Sequence, residues 1–237
     1  MKTTLSILAL SLLTSWSLVA QGSIKGSGPI VKKTIDVPAF EGIKLEFSGN
    51  VVLRPGAKQM VEVQGQENLI DNISTDVNGK VWDIEFKANR VTNMKELTVF
   101  ITAPKLTSVA ISGSGDIRTE GTFDSSNTMD VAVSGSGDLD LNAKVSKMNV
   151  AVSGSGDVRL AGSASENNLS VTGSGDISAF DFSSQAVNVS IVGSGDCKVQ
   201  VANELNVSIV GSGDVHYKGN PGRVKQNIMG SGEVYNK

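Results

Sequence analysis

An all-β chain wound as a parallel β-helix is the fold this sequence predicts, and three observations carry the prediction. A glycine-rich corner recurs: "VSGSGDV" at 152–158 has counterparts at 112–117, 134–139, 172–177, 192–197, 210–215 and, with Glu for Asp, 229–234. Its first glycines stand at 113, 135, 154, 173, 193, 211 and 230, so the intervals are 22, 19, 19, 20, 18 and 19 residues. Before each corner the residues alternate apolar and small or polar. Val131 and Val133, Val150 and Val152, Leu169 and Val171, Val189 and Ile191, and Val207 and Ile209 flank Ala132, Ala151, Ser170, Ser190 and Ser208. That is the period-two signature of half-buried strands. Finally, like stands above like: five positions before the corner glycine come Asp130, Asn149, Asn168, Asn188 and Asn206. Hairpins would scatter such positions, whereas a solenoid stacks them about 4.8 Å apart, where side-chain amides bond up and down the column. One coil of about 19 residues cannot be stable alone and is covered by its neighbours.

Taken in order, residues 1–22 read as a secretory signal peptide. Lys2 precedes an apolar run from Leu5 to Leu13, and small residues around Ala20 and Gly22 offer a cleavage point between Ala20 and Ser23. The run is too short, and too interrupted by Thr14, Ser15 and Ser17, for a membrane span. No cysteine lies nearby to carry a lipid anchor.

Residues 23–105 form a less regular β part of the same domain. "FSGNVVL" at 47–53 reads as a repeat corner with two residues missing, and alternating strands surround it: Ile43, Leu45, Phe47; Trp82, Ile84, Phe86; Leu97, Val99, Ile101. "QENLIDNI" at 66–73 is one or two helical turns or an irregular coil. This part is expected to cap one end, because an uncovered β-edge invites aggregation. Residues 106–237 are the GSGD coils. After each corner an apolar residue follows the acid at once, at Ile117, Leu139, Val158, Ile177, Cys197, Val215 and Val234.

Stacking brings Asp116, Asp138, Asp157, Asp176, Asp196, Asp214 and Glu233 into one column. Neighbouring carboxylates 4.8 Å apart repel by about 0.9 kcal/mol even at the dielectric of water, so something must offset them. Calcium takes such oxygens, but the calcium β-roll repeats every nine residues, whereas here one acid recurs per coil. The architectural reading is preferred. Arg118, Arg159 and Lys198 stand two residues beyond acids on the outward face, and each Asp can accept from backbone N–H groups of its own corner as in an Asx-turn. No metal or cofactor is expected, and no catalytic residue is assigned.

Other chemistry is sparse. His216 is the single histidine, next to Tyr235 on successive coils, and no motif sets a nucleophile beside it. Cys197, the single cysteine, falls in a column of Ile, Leu and Val and reads as a buried thiol; no intrachain disulfide can form. The Asn-x-Ser triplets at 168, 188 and 206 fall in the amide column and read as products of the repeat rather than glycosylation acceptors. A net charge of −3 excludes the concentrated basic face that nucleic acid requires. Aromatic residues make up 5% of the chain, too few for sugar-stacking platforms.

The march "FEGIKLEFSGNVVLRPG", "VEVQGQENLIDNISTDVNGKVWDI" and "LTVFITAPKLTSVAISGSGDI", followed by GSGD coils, resembles the head GIN domain, auto-transporter adhesin family of exported bacterial proteins, common in Bacteroidetes. The resemblance spans roughly 35–235. It implies a right-handed parallel β-helix of pectin-lyase-like shape and a role in cell adhesion, with no catalytic residues to transfer. One departure is the lack of a C-terminal translocator: a membrane barrel needs strands of about ten residues with aromatic girdles, and Phe and Tyr are scarce after residue 105. The leading expectation is an exported, non-enzymatic module in the periplasm, on the surface or secreted. Its partner would be a protein, glycan or envelope polymer, without nucleic acid, without a membrane span after signal removal, and with oligomerisation open. The alternatives are a polysaccharide lyase-like or calcium-binding solenoid, with Arg159 or Lys198 as base, and a self-assembling envelope protein.

Overall fold

The computed structural model describes residues 22–125 and 127–237. The expected leader therefore lies outside the described residues except for Gly22.

The N-terminal part builds the first windings and their cover. A two-stranded parallel sheet joins β1 (Ser23–Lys25) to β8 (Arg90–Thr92). β2 (Ile30–Thr34) pairs antiparallel with β5 (Met60–Gln66), which pairs antiparallel with β9 (Thr98–Ala103). The single helical turn α1 (Glu67–Ile70) buries Leu69 and Ile70 against the end of the core. β6 (Val77–Asn78) forms an antiparallel edge on β7 (Val81–Ile84). Between these lie β3 (Gly42–Leu45) and β4 (Asn50–Pro55), which already follow the solenoid rule. β3 runs parallel between β7 and β10 (Ser108–Gly113), and β4 runs parallel between β9 and β11 (Asp116–Thr119). Trp82, Ile43, Val109 and Val131 thereby form one inward column, and Val99, Val51, Ile117 and Leu139 another. The windings are out of chain order: residues 42–55 lie between the pass 81–103 and the pass 108–119.

The corner at 46–50 is full length, which corrects the reading of two missing residues. Leu45 pairs with Ile111 and Asn50 with Asp116, so five steps separate them in both coils. Phe47 replaces the first corner glycine, and its ring packs on Phe86 at 4.8 Å. Matching Phe47 to the apolar residue before the corner, rather than to the glycine, produced the apparent gap.

From there the coils are regular. β12 (Phe123–Asp124) and β13 (Thr128–Gly135) are followed by four long bent strands, β14 (Leu139–Gly154), β15 (Val158–Gly173), β16 (Ile177–Gly193) and β17 (Cys197–Gly211). β18 (Val215–Lys218), β19 (Arg223–Gly230) and β20 (Val234–Asn236) make the last winding. All these pairings are parallel, and corner glycine stacks on corner glycine from Gly113 to Gly230. Each long strand turns where its alternation breaks. In β14, Leu139, Leu141, Ala143 and Val145 are buried; Ser146 and Lys147 are both outside; Met148, Val150 and Val152 are buried again. Two flat arms thus enclose one strip of core, with Cys197 fully buried in it. Among the described residues no helix is long and apolar enough to cross a membrane.

The corner requires its glycines for a stated reason. Gly154 has φ of +122°, and a Cβ there would lie 2.4 Å from the Gly135 carbonyl oxygen. One at Gly156 would lie 2.2 Å from that of Gly137. The space is filled by hydrogen bonding, since Ser155 N–H and Gly156 N–H both donate to the Gly135 carbonyl, at 2.9 and 3.1 Å.

Candidate functional site

The acid column forms, and its role differs from the one expected. Asp116 Oδ1 accepts from the backbone N–H of Asp138 at 3.0 Å, Asp138 from Asp157 at 3.0 Å, and Asp157 from Asp176 at 2.9 Å. The series continues through Asp196, Asp214 and Glu233 at 2.8 Å each. Each carboxylate therefore caps the acid position one coil on, not the N–H groups of its own corner, because the corner N–H groups are already given to the preceding glycine carbonyl. Nor do the flanking cations pair with the acids as expected. Among the described residues no ion pair joins a corner acid to Arg118, Arg159 or Lys198, and Arg118 pairs with Glu120 at 3.5 Å. Charge-assisted N–H donors offset the repulsion instead. No group of three or more His, Cys, Asp or Glu side chains gathers as a cation site among the described residues.

The arm before the corner carries a different surface. Asn149 Nδ2 donates to Asp130 Oδ1 at 2.7 Å, Asn168 to Asn149 at 2.9 Å, Asn188 to Asn168 at 2.7 Å, and Asn206 to Asn188 at 2.9 Å. Lys225 stands next in register above Asn206. Beside this ladder runs the column of small side chains Ala132, Ala151, Ser170, Ser190 and Ser208, ending at Asn227. Ladder and small column together floor a groove of about 990 Å³ running along the solenoid from Asp130 to Asn227.

The two rims differ. On one side Lys147 pairs with Glu166 at 3.0 Å and Arg223 with Glu204 at 3.7 Å. Asn168 and Asn206 also donate to Glu166 and Glu204, at 3.0 and 3.3 Å. The Asn168 hydrogen bond, with Lys147 behind it, holds the Glu166 carboxyl below its ordinary range. The other rim is the residue just before each corner glycine: Ser134, Ser153, Thr172, then Val192, Val210 and Met229. Its last three members are exposed by 49%, 40% and 59%. The alternation of the sequence located both columns. It did not indicate that amides and small residues side by side would leave a trough, because that depends on what projects beyond them at the rims.

The remaining candidates are local. His216 stacks on Tyr235 with ring centroids 5.0 Å apart and 13° between planes, as successive coils require. A hydrogen bond to Glu233 pushes the Tyr235 hydroxyl up to about 12. Burial, reinforced by Asp176 and Asp196, pushes the Cys197 thiol up to about 12, so at neutral pH it is a protonated core side chain. Phe100 lies under Lys32 and Arg54, and Phe180 under Lys218 and Lys237, each ring serving as a cation platform.

Residues 39–221 match the family described as "Putative auto-transporter adhesin, head GIN domain". No curated protein matches the chain. Among solved structures, one described as a putative adhesin from Bacteroides fragilis is similar with a TM-score of 0.85 at 27% identity, over 90% of this chain and 100% of that one. Another so described, from Parabacteroides merdae, gives 0.65 at 26% identity over 91% and 99%. One described as a putative lipid binding protein from Parabacteroides distasonis gives 0.75 at 23% identity over 91% and 99%, a likeness of fold.

Proposed function

The chain belongs to the head GIN domain, auto-transporter adhesin family, and from that premise we propose that it is an exported, non-enzymatic binding module that holds a partner along the amide-ladder groove. The observation that carries the reading is the groove itself. It runs across six coils, its floor offers amide and hydroxyl groups at a fixed interval, and its rim leaves Val192, Val210 and Met229 exposed. Such a surface recognises an extended object by repetition. It is built for holding: the charges of its rim are tied in ion pairs, Asp130 and Lys225 stand at the two ends of its floor, and its remaining groups are amides, hydroxyls and methyls. The acids of the corner column serve the backbone, which makes them architectural rather than reactive.

The test fills the trough. Ser190→Trp places an indole on its floor without touching the core. The chain, immobilised, is offered a panel of envelope polymers, glycans and extracellular proteins, and binding is followed by interferometry. The expected result is at least one ligand whose affinity falls about tenfold or more in the variant, a loss of about 1.4 kcal/mol, at unchanged melting temperature. Equal binding of any bound ligand by both forms, in a chain that also stays monomeric, overturns the assignment of the groove. Unsaturated products from any polysaccharide in the panel overturn the non-enzymatic reading.

A further inference from the structure

We infer that the groove takes a second copy of this chain, face to face and antiparallel, so that the family's adhesive role is self-recognition. The inference rests on the reading of the groove as the binding surface and names its partner.

The columns change along the solenoid in a way that complements their own reversal. A second copy is turned by half a revolution about an in-plane axis between the Asn168 and Asn188 coils, at right angles to the solenoid. Each column then faces itself in reverse. The ladder begins with an anion, Asp130, and the next position after its last amide is a cation, Lys225. Reversal sets Asp130 against Lys225 of the second copy at both ends, with amides facing amides between them. On the charged rim it sets Lys147 against Glu204 of the second copy. The two intrachain pairs, Lys147 with Glu166 and Glu204 with Arg223, then join into a row of alternating sign. A parallel copy would lose both matches, because it sets the ladder against the small column and the charged rim against the uncharged one.

Size is graded in the same sense. The uncharged rim grows from Ser134 and Ser153 to Val210 and Met229, and the floor from Ala132 to Asn227. Reversal puts Met229 over Ser134, Val210 over Ser153 and Asn227 over Ala132, so the combined bulk stays even along the seam. Six coils at about 4.8 Å and eight strand residues at about 3.3 Å give a face of roughly 750 Å² per copy, close to the ~800 Å² of a standard interface. A neutral groove with opposite charges at its ends suits a partner that shares that pattern reversed.

The test is the oligomeric state of the chain by sedimentation, at low and high salt. The expected result is a dimer that weakens with salt, because its end contacts are charged. Asp130→Lys and Lys225→Asp each weaken it about tenfold or more, and the double variant D130K/K225D restores it to within about threefold. Since Asp130 also accepts from Asn149, the pair Lys147→Glu and Glu204→Lys is run alongside and is expected to show the same loss and rescue. A monomer at every concentration, or a dimer indifferent to both charge pairs, overturns the inference. A monomer whose Ser190→Trp variant loses polymer binding overturns self-pairing but leaves the groove as the binding surface. A monomer without groove-dependent binding overturns both.

Discussion

Asn167 breaks the rule that its column obeys. It stands in register between Met148 and Val187, is 1% exposed, and its amide oxygen and nitrogen have no hydrogen-bond partner. Ser184, inward near the same bend, is likewise buried with an unpaired hydroxyl. An unmet buried amide costs about 1–3 kcal/mol, and neighbours of similar volume show that the space suits a hydrocarbon. Asn167→Leu is therefore expected to raise unfolding stability by about 1–3 kcal/mol, read as a higher denaturant midpoint at unchanged slope. A lower midpoint would mean that the amide has a partner in solution. Asn167 stands one residue before the ladder and is not marked by the spacing, because a repeat defined by its regular columns hides the polar residue that falls inward. It did place Cys197 correctly in the core, since every other coil has an aliphatic side chain there.

At the level of the strand and its corner, hydrogen bonds along the solenoid axis do the work that hairpins do elsewhere. Asp176 shows the principle: its Oδ1 receives the Asp196 N–H at 2.8 Å, and its own N–H goes to Asp157. Asparagine keeps that oxygen and removes a charge from the column, whereas alanine removes the acceptor. Asp176→Asn should thus match or slightly exceed the parent in thermal unfolding, and Asp176→Ala should lose about 1 kcal/mol or more. Equal losses from both would show that the charge, not the acceptor, is what the corner uses. The column itself was legible from spacing and period. The direction of its hydrogen bonds was not, because one-dimensional spacing cannot separate an acid capping its own turn from one capping the turn above. The trough beside the ladder was hidden for a related reason: its depth is set by rims whose residues change from coil to coil.

Across the whole molecule, the irregular end adds one charged brace to its strand pairings and apolar core. Glu41 accepts from Lys80 and Lys105, each at 2.9 Å, and so ties the approach to β3 to the approach to β7 and to the link between β9 and β10. Those two ammonium groups, Lys105 first, hold its carboxyl down to about 2. A depressed folded value means stability that is fully present above the ordinary carboxylate range and lost as the pH falls from there towards about 2. Acid unfolding followed by circular dichroism should therefore lose part of its steepness in that window in Glu41→Gln, with the two proteins converging at its acid end. Parallel curves across the window would remove Glu41 from the account. A less regular part was legible here but its path was not, since alternation marks strands without saying which strand lies beside which. That path has a consequence for how the molecule is made. Residues 42–55 gain both flanking neighbours only when 81–103 and then 108–119 have arrived. A chain issuing amino end first from a narrow exit would thus remain pliant until residue 119 had followed, and the closure would then proceed from that late seed towards the carboxyl end, one winding upon the last.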